Sequence, residues 1–286
     1  MGVKIITDST SYIPQNLIES MDIEIVSLNV SLEDKHFKEV DISSEYFYGE
    51  LEKLKAFPKS SQPEIGEMLS LFRDNLSEGD SVLGIFLSSE MSGTYQSALL
   101  AKSMILEEFS NGNIEILDSK SNCMQLGWMV LEAAKEAKKG SDLNKCVEKA
   151  LLMRERTRFV FAPKNLDYLK MGGRIGGASA FLGSLLKIIP ILTVKDGKTD
   201  VITKVRSSKK AIAKIVEIMK MDVEKFGLGE VVVHHIQNEE MAKLVIKELK
   251  SIGIDAIIGE IGAVIGTHVG PGAIGLAYYT KRPMNS

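Results

Sequence analysis

The chain has 286 residues, beyond the size at which one hydrophobic core keeps growing, so two domains are expected. Its 44% apolar and 26% charged residues exclude a disordered chain, and a net charge of −3 gives the whole molecule no attraction for nucleic acid or an anionic membrane. No apolar run reaches the ~18 residues that a membrane span needs; the longest candidate, residues 181–194, is broken by Lys187 and Pro190.

The N-terminus, MGVKIITDST, passes from a β-rich run straight into a turn, unlike a signal peptide, and Ile6 stands where N-myristoylation asks for Ser or Thr. A cytoplasmic protein without stable membrane anchoring is expected. Residues 3–7 read as a strand, and Pro14 opens a short helix where a missing N–H costs nothing. Residues 23–30 read as a second strand, 43–55 and 63–76 have helical spacing, and 81–87 (SVLGIFL) read as a buried strand. A helix over 92–109, a strand over 113–117 and helices over 123–139 and 143–156 follow. Strands separated by helices imply a doubly wound, mostly parallel sheet. Cys123 and Cys146 fall in the last two helices without metal or redox spacing, as structural thiols of a reducing compartment would.

A second α/β domain is expected over 159–286, after a first over 1–158. It begins with a short strand at 160–162, a helical turn at 166–170, a Gly-rich stretch at 172–177 and a helix at 178–186. Strands over 188–194 and 199–206 flank an Asp196-Gly197 turn, and residues 207–226 place Ile212, Ile215, Val216, Met219 and Val223 on one helical face. Strands over 230–235, 256–259 and 263–268 complete the layer.

Three polar motifs fall where strands give way to helices: Asp8-Ser9-Thr10-Ser11, Ser60-Ser61-Gln62-Pro63, and Ser88-Ser89-Glu90-Met91-Ser92-Gly93-Thr94-Tyr95. Ligands of open parallel sheets lie beyond the carboxyl ends of the strands, so these loops are expected around one crevice, where hydroxyls and free N–H groups favour an anion. Each motif alone is more simply an N-cap.

The C-terminal stretch 261–275 contains G-x-G-x-x-G at Gly270, Gly272 and Gly275, but only eleven residues follow, too few for a dinucleotide unit. Its glycines can instead carry His268, read at a strand end, to a site; a structural histidine is the alternative. Gly172-Gly173-Arg174-Ile175-Gly176-Gly177 lacks the ending of a phosphate-binding P-loop but places Arg174 at the tip of a turn. The helix that follows it suits either a narrow apolar tunnel or ordinary core. Residues 161–215 carry eleven basic and three acidic side chains, whereas the first sixty carry six and eleven. Such a stretch is either a solvated face or a field for phosphate or an acidic protein.

Catalytic signatures are weak. There is no G-x-S-x-G, Ser184-Leu185-Leu186-Lys187 lacks its companion motifs, His234-His235 lack helical zinc spacing, and no carboxylate cluster has metal-ligand spacing.

Taken in order, KSSQP, SSEMSGTYQSA, LDYLKMGGRIG and IGTHVGPGAIG closely resemble the DegV family, which includes FakB, the fatty-acid-binding subunit of bacterial fatty acid kinases. The resemblance runs from Asp8 to Gly275. It implies a Rossmann-like N-terminal domain, a C-terminal α/β domain and a long-chain fatty acid between them. By the same resemblance Ser60, Ser92 and His268 hold the carboxylate, and Asp8, Ser9, Ser61, Gln62, Gly93 and Thr94 form the supporting polar loops. Arg174 and Arg206 then become candidates for a phosphate or for docking a FakA-like kinase. Two positions depart from the family pattern: Ser60 replaces a usual Thr, and Tyr12 stands where the opening motif usually has Asp. A carrier without cofactor, metal or catalytic residues of its own is expected, one that presents its fatty acid to a separate kinase for acyl-phosphate formation. The alternatives are an acyl hydrolase using Ser92, His268 and Asp8, and a lipid-responsive regulator with no kinase.

Overall fold

The computed structural model describes residues 2–51, 53, 56–181 and 188–284. Its first part runs β1 (Val3–Asp8), α1 (Gln15–Met21), β2 (Ile23–Val26), β3 (Asn29–Leu32), β4 (Lys35–Lys38), α2 (Ser44–Leu51), β5 (Lys59–Ser61), α3 (Ile65–Ser77), β6 (Ser81–Phe86), α4 (Thr94–Glu108), β7 (Ile114–Asp118), α5 (Cys123–Lys138) and α6 (Leu143–Arg154). Strands β2-β1-β6-β7 form a fully parallel sheet. Successive residues of β1 are buried on opposite faces: Ile5 packs with the cluster that holds α5, whereas Ile6 joins Met68, Phe72 and Ala98 of α3 and α4. Period-two burial on both faces is the signature of a doubly wound sheet, as its near-continuous apolar strands implied. Strand β2 lies on one side of β1 and β6 on the other, so the order in which strands are added reverses between β1 and β6. The loops after these two strands, at Asp8 and Ser88, open there.

The second part runs β8 (Thr157–Ala162), α7 (Asp167–Met171), β9 (Ile189–Lys195), β10 (Lys198–Val205), α8 (Ser208–Phe226), β11 (Leu228–His235), α9 (Glu239–Ser251), β12 (Ile257–Glu260), α10 (Ala263–Val269) and β13 (Ile274–Thr280). Its sheet, β10-β9-β8-β13-β11-β12, is antiparallel except for the β11–β12 pair. Helices α8 and α9 cover one face, over Val160, Ile191, Val233 and Leu276, while Phe159, Phe161, Leu192 and Ala277 point to the core shared with α5. The β9–β10 hairpin turns through Asp196 (φ 49°) and Gly197 (φ 82°), the left-handed pair that a tight hairpin needs. The turn is tied to the first part by the Ser88 hydroxyl, which donates to the Gly197 carbonyl at 2.8 Å.

Several expectations change. The strand expected over 23–30 is two strands in two sheets, because β3 pairs with β4 and β5 in a small antiparallel sheet. Between them the backbone leaves the ladder: Leu28 N donates to the Ser9 hydroxyl at 3.1 Å, and the Leu28 carbonyl accepts from Glu39 N at 2.8 Å. The strand expected over 263–268 is the helix α10. Its β-branched, apolar residues have strand propensity, but tertiary partners satisfy its first backbone donors and Gly270 (φ 82°) stops it. Of the helix expected over 178–186, residues 176–181 form a 3₁₀ helix; Ser184, Lys187 and the rest of 182–187 lie outside the described residues. Helix α9 and the central strand β13 were not anticipated.

Candidate ligand-binding site

A cavity of about 390 Å³ lies between the inner face of the six-stranded sheet, the loop after β6, strand β5 and helix α10. Its volume falls within the range of roughly 300–1,000 Å³ usual for small-molecule sites. The long wall is apolar. Strand β8 contributes Phe159 and Phe161, whose rings stack with centroids 5.0 Å apart, and α10 contributes Val264, Ile265 and Val269. Leu28, Leu87, Leu169 and Ile261 close it from four other segments.

One stretch of the wall is polar, and Ser60, Ser61, Gln62, Ser92, Gly93, Arg174 and His268 line it. Ser60 lies in β5, paired with Val30, and its hydroxyl is 2.7 Å from His268 Nε2. These two residues are 208 positions apart in the chain. The His268 ring rests on Gly172, where any Cβ would overlap Nδ1. That nitrogen is buried without a partner. Burial, and then the nearby Arg174 guanidinium, lower the His268 pKa to about 4, so the ring is neutral at pH 7. Arg174 is held by two carbonyls: Nε donates to Met91 O at 2.9 Å and Nη1 to Gly172 O at 2.7 Å. The Ser92 hydroxyl is 2.9 Å from the Thr94 hydroxyl, and Gly93 packs so closely on the Gln62 amide that a side chain there would overlap it. The second and third polar motifs therefore meet at one place.

The first motif does something else. Asp8 is fully buried; Oδ1 accepts from Thr10 N and Oγ1 at 3.0 and 2.6 Å, and Oδ2 accepts from Leu87 N at 2.6 Å. Desolvation pushes its carboxyl up, against these bonds. Asp8 thus ties the loop after β1 to the end of β6. Ser9 donates to Glu39 Oε2 at 2.5 Å. Neither lines the cavity, and Thr94 supports it from behind through Ser92. Arg206 is exposed just beyond β10 and also lies off the wall.

Glu39, which sequence reasoning did not single out, organises the far end of α10. Its Oε1 accepts from Val264 N at 2.8 Å and from the Tyr12 hydroxyl at 2.8 Å, while the Tyr12 oxygen accepts from Ile265 N at 3.3 Å. Two backbone donors of the first turn of α10 are thereby satisfied from residues more than two hundred positions away. Tyr48 adds a hydroxyl donated to the Ile261 and Gly262 carbonyls at 3.1 and 3.0 Å. The departure from the family pattern at Tyr12 thus supplies part of this anchor.

Asn122 and His234 also line the cavity and were missed as site residues. His234 is fully buried, and burial lowers its pKa to about 4. Alternation along β11 was the available signal, since it turns His234 to the inner face opposite Val233. A Ser92–His268–Asp8 relay is not assembled: His268 faces Ser60, and Asp8 is bonded elsewhere. Among the described residues no group of three or more His, Cys, Asp and Glu is placed to hold a metal, and no helix is long and apolar enough to cross a membrane.

Residues 2–281 match the family model described as "Uncharacterised protein, DegV family". The chain is 50% identical over 285 residues to a DegV domain-containing protein of Clostridium acetobutylicum, covering 99% of this chain and 100% of the other. Among solved structures it resembles DegV of Bacillus subtilis, described as a fatty acid binding protein, with 35% identity, a TM-score of 0.87 and coverage of 98% and 100%. A DegV family protein of Thermus thermophilus described by its fatty acid binding gives 32%, 0.89 and the same coverage. A stearic-acid-binding protein of Eubacterium ventriosum gives 28% and 0.89, covering 98% of each chain.

Proposed function

The chain belongs to the DegV family, and from that premise we propose that it binds one long-chain fatty acid in the cavity with the carboxylate at Ser60, Ser92 and His268. The observation that carries this reading is a largely apolar wall together with a compact polar cluster to which two hydroxyls and a neutral imidazole contribute. With its proton on Nε2, His268 donates to the Ser60 oxygen and leaves the Ser60 hydrogen free for a carboxylate oxygen; Ser92 offers a second hydroxyl. Each buried methylene contributes ~0.8 kcal/mol, so a dozen supply roughly 10 kcal/mol before the costs of association. The polar groups need only orient the head.

In the proposed cycle the protein shields the tail while a separate, ATP-using fatty acid kinase phosphorylates the carboxylate, after which the protein carries the acyl-phosphate onward. The basic side chains around Arg174 and Arg206 provide the field for that phosphate or for an acidic kinase surface. The proposal places the carrier in the cytoplasm, as two domains meeting near residue 158 around the ligand. It assigns the protein no catalytic residue. The supporting geometry is the separation of Asp8 from His268 and the pairing of His268 with Ser60 in place of Ser92.

Mass spectrometry of lipid extracted from the purified protein tests the reading. One equivalent of a long-chain acid is expected; a protein that neither carries nor takes up any fatty acid would refute it.

A further inference from the structure

The pair Gly172-Gly173 closes α7, and its two glycines answer different needs. Gly173 has φ 71°, a left-handed conformation that favours glycine, with open space where a side chain would stand. Gly172 has φ −75° and ψ −9°, an ordinary right-handed conformation that most residues adopt. Its backbone gives no reason for a glycine, but its surroundings do. A Cβ at Gly172 would stand 2.3 Å from His268 Nδ1 and 3.2 Å from Cε1 of the same ring. It would also lie 3.1 Å from the Tyr168 carbonyl, which is fixed by accepting from Gly172 N at 2.8 Å. The ring would therefore be the part to yield, by about 1 Å to regain van der Waals distance.

The same contact decides where the imidazole carries its proton. Nδ1 is sealed from solvent and meets no polar partner, while Nε2 is 2.7 Å from the Ser60 hydroxyl. A proton on Nδ1 would bury an N–H without an acceptor, the costlier kind of orphan. With the proton on Nε2, Nδ1 keeps only a lone pair. The hydrogen that Gly172 carries in place of Cβ points at that lone pair, as a weak Cα–H donor does. Nε2 then donates to the Ser60 oxygen, and the Ser60 hydrogen is directed away from the ring. The carbonyl of Gly172 also accepts from Arg174 Nη1 at 2.7 Å, so two side chains of the polar cluster are held by one backbone unit.

We infer that Gly172 is a positioning residue: its bare Cα seats the His268 ring, keeps the proton on Nε2 and so presents the Ser60 hydrogen to the ligand carboxylate. The ligand in this statement rests on the fatty-acid reading above; the seating and the proton position do not.

Nitrogen NMR of the imidazole-labelled, ligand-free protein at neutral pH tests the proton position, with His268 assigned by the signals lost in His268→Gln. A protonated Nε2 and an unprotonated Nδ1 are expected in the original chain, and in Gly172→Ala a shift towards the tautomer mixture of a free imidazole. Calorimetric titration of the delipidated protein with stearic acid tests the consequence. Gly172→Ala is expected to bind about three- to tenfold more weakly, the effect of one misdirected hydrogen bond. In a His268→Ala background the same substitution should change affinity by less than about twofold, because no ring remains to be displaced. The inference is overturned if the original chain carries its proton on Nδ1, if Gly172→Ala leaves both the spectrum and the affinity unchanged, or if the loss persists undiminished without His268. Should Gly172→Ala fail to fold, folding of the double variant Gly172→Ala with His268→Ala supports the clash with the ring, and failure of the double variant as well makes the glycine structural only. Failure of the original chain to bind any fatty acid defeats the fatty-acid reading and leaves the NMR result to decide the seating.

Discussion

The two ends of α10 do opposite work within seven residues. At its start, Glu39, Tyr12 and Tyr48 meet backbone groups in a closed network, and both carboxylate oxygens of Glu39 are used. At its end, His268 lines the cavity, with Nε2 paired to the Ser60 hydroxyl and Nδ1 buried against Gly172. A saturated buried network is rigid because breaking any member strands the others, whereas a hydroxyl–imidazole pair on a cavity wall keeps hydrogen-bonding capacity to spare on the hydroxyl. The comparison teaches that placement and recognition are separated along one short helix: the first turn fixes where the last turn points.

Breaking the fixed end has the largest expected effect. Glu39→Ala strands the Val264 N–H and the Ser9 and Tyr12 hydroxyls in the interior, and a loss of roughly 3–5 kcal/mol in unfolding free energy is expected. Urea denaturation checks it, and a midpoint equal to that of the original chain would remove Glu39 from this role. Glu39→Gln retains part of the network and should lose less.

Next in size is a pH effect from His234. Its pKa is about 4 in the folded protein and 6.5 when free. As pH falls, the unfolded chain takes up this proton first, so stability is intact above about pH 6.5 and declines between 6.5 and 4 by ~3 kcal/mol from this group. Asp8 and Glu39, whose carboxyls burial pushes up, act in the opposite sense, so the contribution is read as a difference. The melting temperature of His234→Gln should fall less steeply than that of the original chain over this interval; parallel curves would contradict the assignment.

The open end responds to ligand tests. Ser92→Ala should weaken fatty acid binding by roughly 1–3 kcal/mol, measured by calorimetry, since it removes a donor from a desolvated carboxylate. His268→Ala is expected to reduce kinase-dependent acyl-phosphate formation more than binding, and equal losses in both would contradict that division. The smallest effect is at the surface: Arg206→Ala should change fatty acid affinity by under about 0.5 kcal/mol while slowing kinase-dependent turnover. An unchanged turnover would leave Arg206 a solvated side chain.

Much of the frame was legible locally. Apolar runs at 3–7 and 81–87 made buried parallel strands because their composition suits burial on both faces, and the amphipathic face of 207–226 identified α8. The polar motifs carrying Ser60 and Ser92, and the approach of His268, were also legible, since hydroxyls and glycines cluster where chain ends meet a crevice. Asp8 and Ser9 looked equivalent to them in sequence and are structural, because a buried carboxylate bonding Leu87 N is indistinguishable in sequence from one facing a ligand.

The sequence by itself determined most of the strand–helix alternation of the first part, its parallel sheet and the residue types from which the polar end is made. Tertiary structure decided that 263–269 is helical, since its local strand preference is outweighed by donors satisfied from Glu39 and Tyr12. It decided that residues 23–32 split between two sheets, that His268 meets Ser60, and that His234 accepts from Met124 N in the first turn of α5. Periodicity and propensity report interactions within a few residues, and each of these outcomes depends on one hydrogen bond or strand pairing between segments that only folding brings together.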